Sequence, residues 1–439
     1  MSALGGGEWV AQNKVLPGAY INFVAMARAS ASLSERGIAT MPVIFDWGVQ
    51  DEVMEVTASD FQRHSRRILG YDYTHPKLQG LRDLFKNIRV AYIYRLGTGG
   101  TKSQNDYATA RFAGTRGNEI TISIAPNIDE PTKWDVSTYF DNALIDVQTV
   151  ADALSLTNND FVTWKPEMVL EAVAGSPLVG GTSPIVTNAD YQTYLDKIEG
   201  FNFNAIGCPS SDSGVKGLFQ AFTKRMRDAQ GVKFQCIMYN PSSNSDYEGT
   251  IDILNKVTND DANDFDLVWW ATGISAGTAV NRSATNNVYD GEFTVDCNYT
   301  QPDYERAIRG GKFAFHRVGN TEVRVLSDIN SLVNLTLEKN SDFQHNQTIR
   351  VLDQIANDIA VLFNTKYLGT VPNDADGRIS LWADIVHHHQ QLQTIRAIEN
   401  FNGEDVEVEQ GDTKTSVLVK DLITPTNCME KLYMSVKVA

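Results

Sequence analysis

Residues 431–439, KLYMSVKVA, place Leu432, Met434, Val436 and Val438 in alternation with Lys431, Tyr433, Ser435 and Lys437. That is the period of a strand with one apolar face. No sequence follows to pair with it, and an unpaired strand edge is a template for another chain. A second segment of the same kind stands near the other end. In VLPGAYINFVAM (15–26), Tyr20, Asn22 and Val24 alternate with Ile21 and Phe23 after a Pro-Gly turn signal. The constraint is therefore a body with a strand at each end and no internal partner evident for either.

The body is segmented. At 439 residues it exceeds one compact core and suggests roughly two to four domains. MPVIFDW (41–47) reads as a buried strand, Ser59 as the cap of a helix to about Leu69, and 75–87 as a helix with Leu78, Leu81, Leu84 and Phe85 on one face. IRVAYIYRL (88–96) returns to strand. Between about 97 and 178, short alternating segments and an Asp141-Asn142 turn signal predict a small antiparallel sandwich or barrel.

From 187 to about 285 the pattern becomes helix 188–199, strand 204–208, helix 213–229, strand 233–239, helix near 246–256, strand DLVWWA (266–271) and helix near 274–284. Apolar strands joined by amphipathic helices predict a doubly wound α/β domain. Two long amphipathic helices, 348–369 and 378–400, precede a hairpin within 405–425 and then the terminal strand.

The formal charge of −16 argues against a nucleic-acid partner, since phosphate contacts need clustered Lys and Arg. No apolar run approaches the ~18 residues of a membrane span. The first residues carry neither a basic n-region nor an apolar h-region, so a cytosolic start is expected. Cys208, Cys236, Cys297 and Cys428 are widely spaced, which predicts buried reduced thiols rather than disulfides or a zinc site.

Three motifs invite chemistry. LGTGGTKS (96–103) follows a strand, but Lys102 lacks the spacing of a phosphate loop and no helix follows, so an inter-domain link is the better reading. In HHH (387–389) successive side chains point about 100° apart on a helix and residue 391 is Gln391, so a polar helix face is expected rather than a metal site. GGTSP (180–184) echoes the Gly-Thr-Ser of subtilisin-type proteases, yet between 178 and 335 the one histidine is His316, outside any motif of that family. Trp269 and Trp270 read as core. Catalytic, metal and cofactor residues are accordingly read as none.

The chain resembles the tail sheath proteins of contractile phage tails, in the compact form of phages and phage-like particles of Gram-positive bacteria. The residues that carry the likeness are ARFAGTRGNEITISI (110–124), the stretch 280–333 beginning VNRSATNNVYDGEF, and VLVKDLITPTNCMEKLYMSVKV (417–438). At 310–333 the Gly-rich Arg-Thr turn of more distant sheath proteins is only partly present. The resemblance implies an N-terminal arm (1–25), an α/β segment joining the core (26–96), a β-sandwich (97–178), a central subtilisin-like α/β domain (179–335) and a C-terminal α+β domain (336–439) with its strand arm from about 425.

It also implies a non-enzymatic structural subunit of the virion tail, assembled in the host cytoplasm. Its partners are other copies of itself in a helical stack of six-fold rings, a tail tube protein, and baseplate and tail terminator proteins, without nucleic acid or membrane insertion. The arms expected to cross between subunits are Tyr20, Ile21, Asn22, Phe23 and Val24, and Leu432, Tyr433, Met434, Ser435, Val436, Lys437 and Val438. The linkers near 26–40 and 424–430 are the expected hinges, with Pro425 setting a turn. For a tube-facing helix the residues chosen are His387, His388, Gln391, Arg396 and Glu399. An α/β hydrolase and a static shell protein are the alternative classes.

Overall fold

The computed structural model describes residues 33–319 and 321–438. The segment 15–24, with Tyr20 through Val24, lies outside the described residues. A first part of the chain supplies β1 (Ile38–Val43), β2 (Val53–Thr57), α1 (Ala58–Leu69), α2 (Gln79–Phe85) and β3 (Val90–Arg95). An all-β insert follows: β4 (Ala108–Ala110), β5 (Ile120–Pro126), β6 (Trp134–Phe140), β7 (Ala143–Val150), β8 (Val162–Trp164) and β9 (Val173–Pro177). The chain then adds α3 (Asn188–Ile198), β10 (Ala205–Cys208), α4 (Ser213–Lys224), β11 (Gln235–Tyr239), β12 (Thr250–Ile253), α5 (Leu267–Gly277), α6 (Gln301–Arg309) and β13 (Lys312–Phe313). Last come β14 (Phe315–Val318), β15 (Glu322–Val325), α7 (Asn346–Leu362), α8 (Ala375–Thr394), β16 (Ile398–Glu399), β17 (Val406–Gln410), β18 (Val417–Asp421) and β19 (Thr424–Pro425).

One seven-stranded sheet in the order β13-β12-β11-β10-β1-β3-β2 joins the first part of the chain to the third. β1 pairs in parallel with both β3 and β10, and only the edge strand β2 runs antiparallel. Because side chains alternate along a strand, Ala39, Met41, Val43, Ile93 and Ile237 enter the layer under α1, α2 and α5, whereas Tyr94, Ile206, Cys208 and Cys236 enter the layer under α3 and α4. Helices thus cover both faces. Among the described residues no helix is long and apolar enough to cross a membrane.

Three readings in this region are corrected. Residues 266–271 are not a strand: they open α5, buried from Leu267 through Ala276 except for half-buried Trp269. A continuous apolar run cannot distinguish a buried helix from a strand by periodicity. Gly273 and Gly277 let this helix close on α2 and the turn after it, where a Cβ would stand 2.5 Å from the Leu84 carbonyl oxygen and 1.8 Å from that of Asn87. The helix ends at Gly277 and does not begin near 274. Residues 246–256, in turn, contain β12 instead of a helix. Asp252 interrupts its apolar run, but is satisfied inside the sheet edge by Asn240 (3.0 Å), Ser245 (2.7 Å) and Lys312 (3.3 Å). A smaller shift concerns α1, which Thr57 rather than Ser59 caps by accepting the Asp60 N–H at 3.1 Å.

In the insert, β7-β6-β5-β9 form one sheet and β4-β8 a second. Asp141 and Asn142 take φ of 51° and 61° in the β6–β7 turn, the left-handed pair that a two-residue hairpin requires. Trp47, from the loop after β1, stands in the core of this unit against Phe112, Phe140 and Phe161, with ring centroids 5.2 to 6.0 Å apart. Its indole N–H donates to the Arg67 carbonyl. The insert is therefore pegged to the sheet as well as tethered by its two linkers.

Trp47→Ala should cost about 3–5 kcal/mol, read by chemical denaturation, with the fluorescence of the remaining insert tryptophans changing before the main transition. Asp83 supplies a pH test. Burial pushes its carboxyl up to about 6, against hydrogen bonds from the Glu292 N–H and Tyr289 hydroxyl. The folded chain holds that proton more tightly than the unfolded chain, so the Asp83 contribution to stability falls as pH rises from about 4 to about 6. Asp83→Asn should remove that part of the slope, roughly 3 kcal/mol across the window, in denaturant titrations at pH 4, 5, 6 and 7.

Candidate assembly surfaces

The end of the described chain is fastened, then released. β19 pairs with β16, and the Thr426 N–H donates to the Ala397 carbonyl at 3.0 Å. The Cys428 N–H donates to the Gln347 Oε1 at 3.0 Å, and the Glu430 carboxylate accepts from Thr285 (2.6 Å) and Ser327 (3.2 Å). Past Glu430 the hydrogen bonding stops: among the described residues, 431–438 make none. Leu432, Tyr433, Met434, Val436 and Val438 are 72–93% exposed. Pro425 lies in β19 and not in a free turn, so 424–430, expected as a hinge, is bonded to the body as far as Glu430. Cys428 is exposed and Cys297 half-buried, so only Cys208 and Cys236 are the buried thiols expected.

The same C-terminal unit carries a ladder with open edges. β17 and β18 pair antiparallel from Val406↔Asp421 to Gln410↔Val417, and neither has a second strand partner among the described residues. A two-stranded ribbon is marginal alone. Here Val406, Val408 and Val417 rest on the cluster made by α7 and α8, while Leu418 and Leu422 remain exposed. Lys420 lies 3.0 Å from Glu407 and 3.3 Å from Glu409 on the outer face. The alternation in VEVEQ and SVLVK is the sequence signal for these edge residues, and it predicts the hairpin without marking its open edges.

The three histidines separate as the helix geometry requires, but only one lies on a polar surface. His387 is exposed and bonds Gln391 at 2.9 Å, whereas His388 and His389 are buried. Their rings meet at Nδ1, 3.1 Å apart, so one nitrogen carries the proton that the other accepts. His388 Nε2 faces Asp358 on α7 at 3.0 Å, and His389 Nε2 faces Asp421 on β18 at 2.7 Å. Asp358 also accepts the Ser34 N–H at 3.3 Å. A polar chain thus runs from the segment before β1, through both helices, to the hairpin. His388 accordingly cannot serve a surface, because satisfied partners inside the chain hold it. The helix also stops at Thr394: Arg396, at φ 61°, turns the chain, so exposed Arg396 and Glu399 belong to the corner and to β16 and do not extend the helix.

The remaining motifs are structural in this geometry. Thr101 in the Gly-rich link donates its N–H to the Thr182 carbonyl at 3.1 Å, and the reverse bond is also 3.1 Å, so the two linkers of the insert run side by side. Ser183 donates to Asp46 at 2.9 Å; Asp46 also accepts from Tyr71 and Lys77. The hydroxyl of the protease-like tripeptide thus meets a carboxylate, not an imidazole base. Among the described residues no group of three His, Cys, Asp or Glu side chains is placed to hold a metal.

Comparison with known proteins follows these units. Residues 97–183 match the phage tail sheath protein beta-sandwich domain, 185–331 its central domain and 338–439 the phage tail sheath C-terminal domain. Residues 36–96 match the tail sheath protein Gp18 domain III N-terminal region. Two Bacillus subtilis (strain 168) proteins are similar along their length. Uncharacterized protein YqbK is 32% identical over 97% of this chain and 98% of its own. Phage-like element PBSX protein XkdK is 31% identical over 99% of each. The crystal structure of a sheath tail protein from Desulfitobacterium hafniense is 36% identical, with a TM-score of 0.80 over 95% of this chain and 99% of its own. The helical sheath of the anti-feeding prophage in its contracted state shares the fold at 12% identity, with a TM-score of 0.56 over 97% and 99%. With all four units matched and full-length relatives above 30% identity, this chain belongs to the phage tail sheath protein family.

Proposed function

We propose that the protein is the subunit of a contractile tail sheath, and that it polymerises helically around a tail tube by donating its terminal strands to neighbouring copies. The observation that carries this reading is the exposed 431–438 segment, unpaired among the described residues, leaving a fastened base at Glu430, on a chain that also carries a hairpin with open edges. Eight residues extend roughly 26 Å, enough to pair along all of β18 or β17. Strand addition of this kind takes its affinity from main-chain bonds and its register from alternate side chains. A donor and an acceptor on one chain make a heterologous contact, which builds rings and helices rather than closed dimers. The segment 15–24, with Tyr20 through Val24, is assigned the same role at the other end.

The wound core corresponds in this reading to the subtilisin-like inner domain of the family, and the insert to its outer domain. Ser183 bonded to Asp46 supports a non-enzymatic role for the core. The extended sheath is metastable, and contraction proceeds by rigid-body rotation of the units while the exchanged strands hold them together. Six-fold rings, a tube, and baseplate and terminator proteins are the partners, in a virion tail assembled in the host cytoplasm. The pivot at 430–431 lets the body turn without breaking the donated strand. For the tube-facing surface, His387, Gln391, Arg396 and Glu399 remain, and His388 does not.

Two experiments test this. The full-length protein should form tubes or ring stacks by negative-stain microscopy and sedimentation, and a truncation ending at Glu430 should stay folded by circular dichroism but monomeric. Equal monomers from both, with the tube protein added, would overturn strand donation. Arg396→Glu with Glu399→Lys should reduce co-sedimentation with the tube protein at least tenfold while leaving sheath self-assembly intact. Unchanged tube binding would remove the corner from the tube-facing surface.

A further inference from the structure

A small polar cavity of about 20 Å³ lies where three parts of the chain meet: the segment ahead of β1, the sheet near β11, and α7. Ser34 and Arg36 reach it from the first, Lys233 from the second, and Arg350 and Gln354 from the third. The volume is that of one small occupant. Arg350 is fully buried, at 1% exposure. Its Nη2 donates to Asp328 at 2.6 Å and to the Arg282 carbonyl at 2.8 Å, whereas its Nε and Nη1 have no acceptor among the described residues.

Charge around the cavity does not balance. Arg227 and Asp353 form a bidentate pair at 2.6 and 2.8 Å, and Arg350 faces Asp328. Asp328 also accepts from the Ala284 N–H and Asn346, so its charge is shared among three donors. Arg36 donates to the Thr278 and Ser275 carbonyls, both at 2.9 Å, and Lys233 to the Arg227 carbonyl. Neither has a carboxylate within ion-pair distance among the described residues. Burial, and then the nearby Arg350 charge, pull the Arg36 guanidinium down to about 9. One lining acceptor, Oε1 of Gln235, also lacks a donor and would favour water. Asp353 also lines the cavity, but both its oxygens are engaged by Arg227; two half-buried cations that meet carboxylates only beyond ion-pair distance, beside the two free donors of buried Arg350, outweigh one neutral carbonyl.

We infer that this cavity is a binding site for a single small monatomic anion of the halide class, held by the free N–H groups of Arg350 between Arg36 and Lys233. The occupant would bridge the segment that leads out of the N-terminal arm to the helix that packs under α8. Halide concentration would then set how firmly that segment is seated, independently of the strand donation proposed above.

The probe is bromide. Crystals grown or soaked in sodium bromide should show an anomalous peak beside Arg350, Arg36 and Gln354. In solution, bromide titrated against gluconate at fixed ionic strength should raise the thermal midpoint along a saturating curve, as a ligand of the folded state does. Arg350→Lys keeps a charge opposite Asp328 but loses the two free donors, and should weaken the apparent bromide affinity at least tenfold. Lys233→Met, farther from that pair, should weaken it as well and stands in if Arg350→Lys does not fold. A water-sized peak without anomalous signal would overturn the inference. So would a linear bromide response identical in the wild type and both variants.

Discussion

The parallel pairing of β1 with both β3 and β10 is what the rest of the architecture rests on. It binds two stretches of chain separated by more than a hundred residues into one sheet. Everything between them must leave and return at nearly the same place. The mutual bonds of Thr101 and Thr182 mark that place. Side-chain alternation then requires two apolar layers, filled by α1, α2 and α5 on one face and by α3 and α4 on the other. The non-local pairing costs loop-closure entropy, offset by two cores rather than by one.

Much of this was legible in the sequence where period and turn chemistry agree. The β10–α4–β11 succession, the Asp141-Asn142 hairpin and the unpaired alternation of 431–438 all stood out as patterns. What escaped was decided by partners distant in sequence. Asp252 makes 250–253 look unlike a strand until Asn240, Ser245 and Lys312 are brought around it. DLVWWA looks like a strand until the close approach of Leu84 and Asn87 shows why glycine follows it at 273 and 277. His388 and His389 read as polar surface because Asp358 and Asp421, 30 and 32 residues away, are invisible to a local window. The anchor at Glu430 had no local signal, since Thr285 and Ser327 are more than a hundred residues distant.

The C-terminal unit combines a tied interior with an unbonded end. Its interior is tied by buried polar chains that span α7, α8 and β18, which are costly to break once desolvated. Its last eight described residues, 431–438, make no hydrogen bond among the described residues. In the proposed strand exchange, giving 431–438 away would remove no hydrogen bond that it makes to the described residues of its donor, so no local unfolding would be needed.

Trp47 has a further consequence. It sits four residues past the end of β1, yet its ring is planted in the middle of the β-insert among Phe112, Phe140 and Phe161. The insert therefore cannot swing on its linkers as a loose pendant. Any tilt of the sheet is carried outward at the same angle, as by a pointer fixed to a dial, and displacement grows with distance from the sheet. A dye or gold particle on the β6–β7 turn would thus turn a small rotation of the core into a measurable arc.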